Sequence, residues 1–281
     1  RQFTHSLFFI PFGSLIFAIL IFPLFKSSLS LKTVYFASFL GYATHGLLDA
    51  CTSYGTQLFW PFSNERISWN NISIVDPLFT IPILIFLVIA IKTKKKTFSF
   101  FGIGWIIFYL TLGYVQYERA LSAAIELATM RGHNADRLTL KPSFGNLILW
   151  KSIYQHKETF YVDAIRTVQS STWCSGDTIR VFDYKYHLPD LDKESQQKKD
   201  IERFRWFSQD YLGYYKEKNV VADVRYSMIP NQIVPMWGLT IDEQRGINDH
   251  ATWWTSRNLD QSQRDLFINM LKGKKSICKS F

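Results

Sequence analysis

From Ser6 to Phe25 the chain runs for twenty residues without a charged side chain. At a helical rise of about 1.5 Å per residue, such a run covers roughly the 30 Å hydrocarbon core of a bilayer. Three further apolar runs follow, at residues 33–50, 77–91 and 98–117, each bounded by polar or charged residues. Signal peptides do not recur in this way, so the pattern predicts four transmembrane helices. The chain's average properties hide this. A net charge of +9 and a mean hydropathy of −0.03 describe two unlike halves averaged together. Residues 1–116 carry 8 basic and 3 acidic side chains, whereas residues 117–281 carry 24 and 20. A single water-soluble globule is therefore excluded. The predicted fold is a membrane α-helical bundle over residues 1–117, followed by an extramembrane α+β domain over residues 118–281.

Short loops rich in Lys and Arg are retained on the cytoplasmic side. The first loop holds Lys26 and Lys32 and the third holds Lys92, Lys94, Lys95 and Lys96, whereas residues 51–75 hold one Arg66 beside one Glu65. Loops one and three are thus expected inside. Arg1, the 51–75 loop and everything after Tyr117 are expected outside, in the periplasm or its equivalent. The chain begins at Arg1 rather than at a methionine, so further residues are expected upstream, and an outside start requires an odd number of crossings among them.

In the charged half, residues 147–154, 159–168, 178–184 and 220–228 are rich in β-branched and aromatic residues and read as strands. Between the last two, Ile201, Phe204, Phe207, Tyr211 and Tyr215 recur at helical spacing within residues 193–218, which predicts an amphipathic helix; another is expected at 260–271. Tyr117 to Met130 continues the fourth span, and Gly132 ends it. The basic excess of this half is small and scattered, which argues against a nucleic-acid partner. The three cysteines, Cys51, Cys174 and Cys278, show no C-x-x-C spacing, excluding both a disulfide-dense scaffold and a thiolate zinc module.

The most informative polar residues lie where apolar ones belong. His45 and Asp49 are four apart in the second run, so on a helix they share one face and address the same point. Ionisable groups at membrane depth cost on the order of 2.5–3.5 kcal/mol on insertion scales and are usually retained for function. His5 begins the first run and Asp76 begins the third, and the deduced orientation brings both to the same outer layer as Asp49. Imidazole nitrogen and carboxylate oxygen are the donors that suit zinc or a similar divalent ion. For Asp76 a second role is open: as a cap ahead of Pro77 it fits the start of a helix.

The segments Arg1-Gln2-Phe3-Thr4-His5-Ser6, His45-Gly46-Leu47-Leu48-Asp49, Thr52-Ser53-Tyr54-Gly55, Trp60-Pro61-Phe62 and Val75-Asp76-Pro77 resemble the membrane-bound metal-dependent hydrolases of the YdjM type. That family's pattern includes an H-R-x-x-T-H-S element and an H-x-x-x-D helix, the latter similar to one in zinc-dependent phospholipase C enzymes. By position, His5 matches the second histidine of the first element, and His45 and Asp49 match the helical pair. The first histidine of that element would fall immediately before Arg1. The resemblance covers about residues 1–92.

These readings lead to one expected function: a membrane-embedded hydrolase in which a divalent metal, zinc with manganese or magnesium as alternatives, is held by His5, His45, Asp49 and Asp76. Asp76 would alternatively orient water, Glu65 would shuttle protons and Arg66 would clamp an anion, with a solvated loop pair as the plainer account of Glu65 and Arg66. Trp60, Phe62 and Trp69 suit a headgroup layer. The expected partner is therefore a membrane lipid or lipid-linked molecule, cleaved at a phosphodiester or ester. The alternatives are a non-enzymatic membrane protein presenting an external partner-binding domain, and a metal or proton transporter, for which four spans without a repeat are few.

Overall fold

The computed structural model describes residues 3–281. The chain divides into two compact units, Arg1–Tyr114 with Phe144–Asn146, and Val115–Ser143 with Leu147–Phe281.

The first unit is helical. A 3₁₀ turn at Phe3–His5 leads into α1 (Ile10–Phe25), then α2 (Leu31–Cys51), α3 (Pro77–Thr93) and α4 (Thr97–Met130), whose first part belongs to this unit. The first apolar run thus begins as a turn: its helix starts at Ile10, with Pro11 in the first turn where a missing N–H costs nothing. Ser30 caps α2 by accepting from Thr33 N. Among the described residues one helix, α4, is long and apolar enough by length and composition to cross a membrane. α1 and α3 are apolar but shorter, at 16 and 17 residues, which is about 25 Å of helix. α2 has 21 residues, but His45, Asp49, two glycines and several hydroxyls dilute its hydropathy. Many large apolar side chains on these helices face outward, among them Leu20, Leu24, Leu84, Ile91 and Phe100.

Residues 52–76 form a folded cap. Thr56 and Ile67 exchange backbone hydrogen bonds of 2.9 and 3.0 Å, Trp69 N donates to Ala50 O and Asn71 N to Cys51 O. Thr52, Ser53, Thr56, Gln57, Leu58 and Ser73 are buried in it. At Gly113 of α4 an added Cβ would lie 2.3 Å from Asn71 O, so only glycine allows the helix and this cap to touch.

The second unit holds two antiparallel sheets. The larger has the order β1 (Arg137–Pro142), β2 (Leu149–His156), β3 (Thr159–Thr167), β4 (Ser171–Cys174) and β10 (Cys278–Ser280), with β5 (Thr178–Arg180) paired to β3. Ala120, Ala123, Ala124 and Leu127 of α4 pack on Leu140, Trp150 and Ile165 of this sheet. The smaller sheet runs β6 (Leu212–Tyr215), β7 (Val220–Asp223), β8 (Trp237–Thr240) and β9 (Thr252–Thr255), and α6 (Gln196–Phe207) buries Ile201 and Phe204 against it. A single turn, α5, covers Tyr184–His187, and α7 covers Gln261–Lys272.

The predicted strand at 178–184 shortens to three residues because Asp183 caps α5, and the one at 220–228 stops at Asp223, whose carboxylate binds Arg225. The helix expected over 193–218 ends at Phe207, since Gln209 and Asp210 adopt left-handed backbone and the chain turns into β6. Asp260 forms a capping box at α7 with Gln263. Cys174 and Cys278 are joined by a disulfide between neighbouring strands.

Candidate functional site

The polar cluster is built by one turn and one helix. On α2, His45 and Asp49 lie one turn apart, and Gly46 between them is buried. An added Cβ at Gly46 would stand 3.1 Å from His5 O, so the absence of a side chain lets the Phe3–His5 turn rest on the helix. Leu7 N donates to Leu58 O at 2.9 Å, which ties the residues after that turn to the cap. The result brings His5 Nε2 to 3.1 Å from His45 Nε2 and 3.6 Å from Asp49 Oδ2. His5 is oriented from its other nitrogen, with Thr4 Oγ1 3.0 Å from Nδ1. The His5 and Asp49 side chains are mostly covered, 16% and 12% exposed, while His45 is open.

Two imidazole nitrogens on one tetrahedral zinc stand about 3.3 Å apart, given Zn–N distances near 2.05 Å. The donor types and the nitrogen separation therefore fit a divalent ion. Among the described residues no group of three or more His, Cys, Asp and Glu is already disposed as a metal site, so the cluster is a gathering of metal-type donors and not a finished coordination sphere.

Asp76 is buried and caps α3, accepting from Phe79 N at 3.2 Å. Tyr109 Oη donates to its two carboxylate oxygens at 3.0 and 2.9 Å. Its carboxylate thus faces α3 and α4, although the residue borders, with His45, Asp49, Thr52 and Ser73, a cavity of about 190 Å³. Glu65 is exposed, with its backbone N–H bound to Ser63 Oγ. Arg66 Nη2 donates to Tyr54 O at 2.7 Å, so this guanidinium holds the cap together. Cys51 is buried at the end of α2.

Beside this cavity runs a larger groove of about 770 Å³ between α1 and α2, with His45 at its edge. The sequence offered no signal for it beyond small residues on facing helices. In the second unit, His133 stacks on His156 and binds Tyr154 Oη at 2.9 Å, and Arg131 forms a two-pronged pair with Asp163. His250 Nδ1 lies 2.9 Å from Asp200. Lys151 is buried, its ammonium 2.8 Å from Ser227 Oγ and 2.7 Å from Gln232 O, and burial pushes its pKa down to about 7. Nothing in the spacing of these residues along the chain announced any of these groupings.

No curated protein and no solved structure matches the chain. A family model does, over residues 1–120: the one described as YdjM inner membrane protein.

Proposed function

We propose, from the match of residues 1–120 to the family model described as YdjM inner membrane protein, that the chain is a membrane-embedded, metal-dependent hydrolase of a lipid or lipid-linked ester or phosphodiester. The observation that carries this reading is the convergence of His5, His45 and Asp49, two of them separated by 40 residues, with both imidazoles meeting through Nε2. A structural role alone does not require imidazoles, because any hydrogen-bonding pair would tie a turn to a helix.

His5, His45 and Asp49 would hold the ion, zinc by donor type, which when bound supplies Lewis-acid polarisation and a water acidified towards neutral pH. Thr4 would fix the His5 ring so that Nε2 faces the site, as partners of metal-bound histidines generally do. Asp76, held by Tyr109 and Phe79, would position the start of α3 along the small cavity instead of ligating. Arg66 would maintain the cap. We place the site at the outer face of the inner membrane, with four crossings and the second unit outside. Three observations support this: the Lys-rich first and third loops, the outward apolar side chains of α1, α3 and α4, and the Cys174–Cys278 disulfide, which belongs to an oxidising compartment.

One observation favours a second reading. The two imidazoles are already within hydrogen-bond distance of each other, as in a non-enzymatic membrane protein whose polar residues tie helices together and whose external domain binds a partner. Metal analysis of the detergent-purified chain decides. Stoichiometric zinc or manganese in the wild type, lost in His45→Ala together with phospholipid hydrolysis, is the expected result. Substoichiometric metal in both proteins would end the hydrolase reading.

A further inference from the structure

The groove between α1 and α2 has the form of a lipid-chain site. Its walls are apolar, from Phe9, Phe17 and Leu20 on one side to Ala37 and Tyr42 on the other, and its edge is His45. Its volume of about 770 Å³ is that of a small-molecule site. Along α1 it extends from Phe9 to Ile21, about 18 Å of helix, of which about 10 Å lies deeper than Ser14, room for the ester-proximal two thirds of the roughly 15 Å that one acyl chain spans in half a bilayer core.

A second observation is independent of shape. Ser14 lines the groove, is fully buried, and its hydroxyl has no hydrogen-bond partner among the described residues. In an apolar setting an unsatisfied hydroxyl is costly, and a ligand oxygen that accepts from it would remove that cost. Its depth can be read from its neighbour: the Gly13 position lies against the Tyr42 ring, and Tyr42 is three residues, or about 4.5 Å of helix, from His45. An oxygen bound at Ser14 therefore sits roughly one turn deeper than the polar cluster. That is the arrangement of a lipid whose headgroup linkage lies at His45 and whose acyl carbonyl lies one step towards the hydrocarbon.

We infer that this groove binds a single acyl chain of a glycerolipid from the surrounding membrane, with its ester carbonyl at Ser14 and its headgroup at His45. The consequence for reactivity rests on the hydrolase reading; the binding of the chain does not. Gly41 provides the probe. It lines the groove, and a Cβ added there meets nothing within 4 Å, so an alanine is accommodated and larger side chains at this position extend towards the chain's path.

The test uses the full chain in phosphatidylethanolamine–phosphatidylglycerol vesicles carrying a trace of phosphatidylglycerol with a diazirine in mid-chain. After irradiation, labelled residues are mapped by mass spectrometry. Labelling concentrated on Phe17, Leu20 and Ala37, falling progressively through Gly41→Ala, Gly41→Leu and Gly41→Trp while α3 and α4 label as before, is the expected result. Ser14→Ala should reduce it without abolishing it. Labelling spread evenly over the outward residues of all helices, or absent from the groove residues, would overturn the inference. His45→Ala separates the two proposals. If it loses metal and hydrolysis but keeps groove labelling, both stand. Uniform labelling with intact metal binding sinks the groove alone, and groove labelling without metal in the wild type sinks the hydrolase alone.

Discussion

Lys151 shows how much one residue can govern. Its ammonium is buried between Ser227 and Gln232, with Asp177 and Asp223 as the charges that favour its protonated form, and burial outweighs them to leave a pKa of about 7. In the unfolded chain a lysine titrates near 10.4. Between these values the unfolded state binds the additional proton, so stability rises with pH from about 7 towards 10, with a slope approaching 1.4 kcal/mol per pH unit. Denaturation midpoints of the full chain in detergent at pH 7.5 to 9.5 should climb accordingly, and Lys151→Met should flatten the climb. An unchanged slope in the variant would mean that Lys151 is charged in the folded protein. At this scale the sequence was informative only where geometry is local. The i, i+4 spacing of His45 and Asp49 guaranteed a shared helix face, and Asp76 before Pro77 announced a cap; the contact of Lys151 with Ser227 spans 76 residues and left no trace in either neighbourhood.

Among the elements, the long ones were readable and the short ones were not. Continuous apolar runs specify α1 to α4 because a helix needs a dozen or so residues of one character. Strands such as β4 and β10, of four and three residues, carry too few positions to show alternation, and β1 reads as polar because Arg137 and Lys141 stand in it. What makes β4 and β10 neighbours is the bond between Cys174 and Cys278. Cys278→Ser should lower the stability of the second unit by roughly 2–5 kcal/mol, as removal of a native disulfide from a small secreted domain does. Chemical denaturation of the wild type with and without reductant, beside the variant, checks this: reductant should shift the wild type to the variant's midpoint and leave the variant unmoved. Alkylation of the unfolded, unreduced chain should find a single thiol, at Cys51.

For the molecule as a whole, the division into an apolar helical unit and a charged mixed unit follows from where charge falls along the chain. The groove and the folded cap do not, since both depend on small residues such as Gly13, Gly46 and Gly113 at points of close approach. Orientation is the property to test at this scale. In a chain with Cys51→Ser, a membrane-impermeant maleimide applied to intact spheroplasts should label Asn64→Cys and spare Lys95→Cys until the membrane is permeabilised. The reverse order would invert the topology and take the proposed site to the cytoplasm. The disulfide also constrains how the protein is made. Its two cysteines are 104 residues apart, so at ordinary translation speeds of 5–20 residues per second the ribosome needs roughly 5–20 s after adding the first to supply the second. Throughout that interval the nascent sheet has an open border beside an unsealed thiol, and its safe closure depends on whatever shields or oxidises that thiol in the meantime.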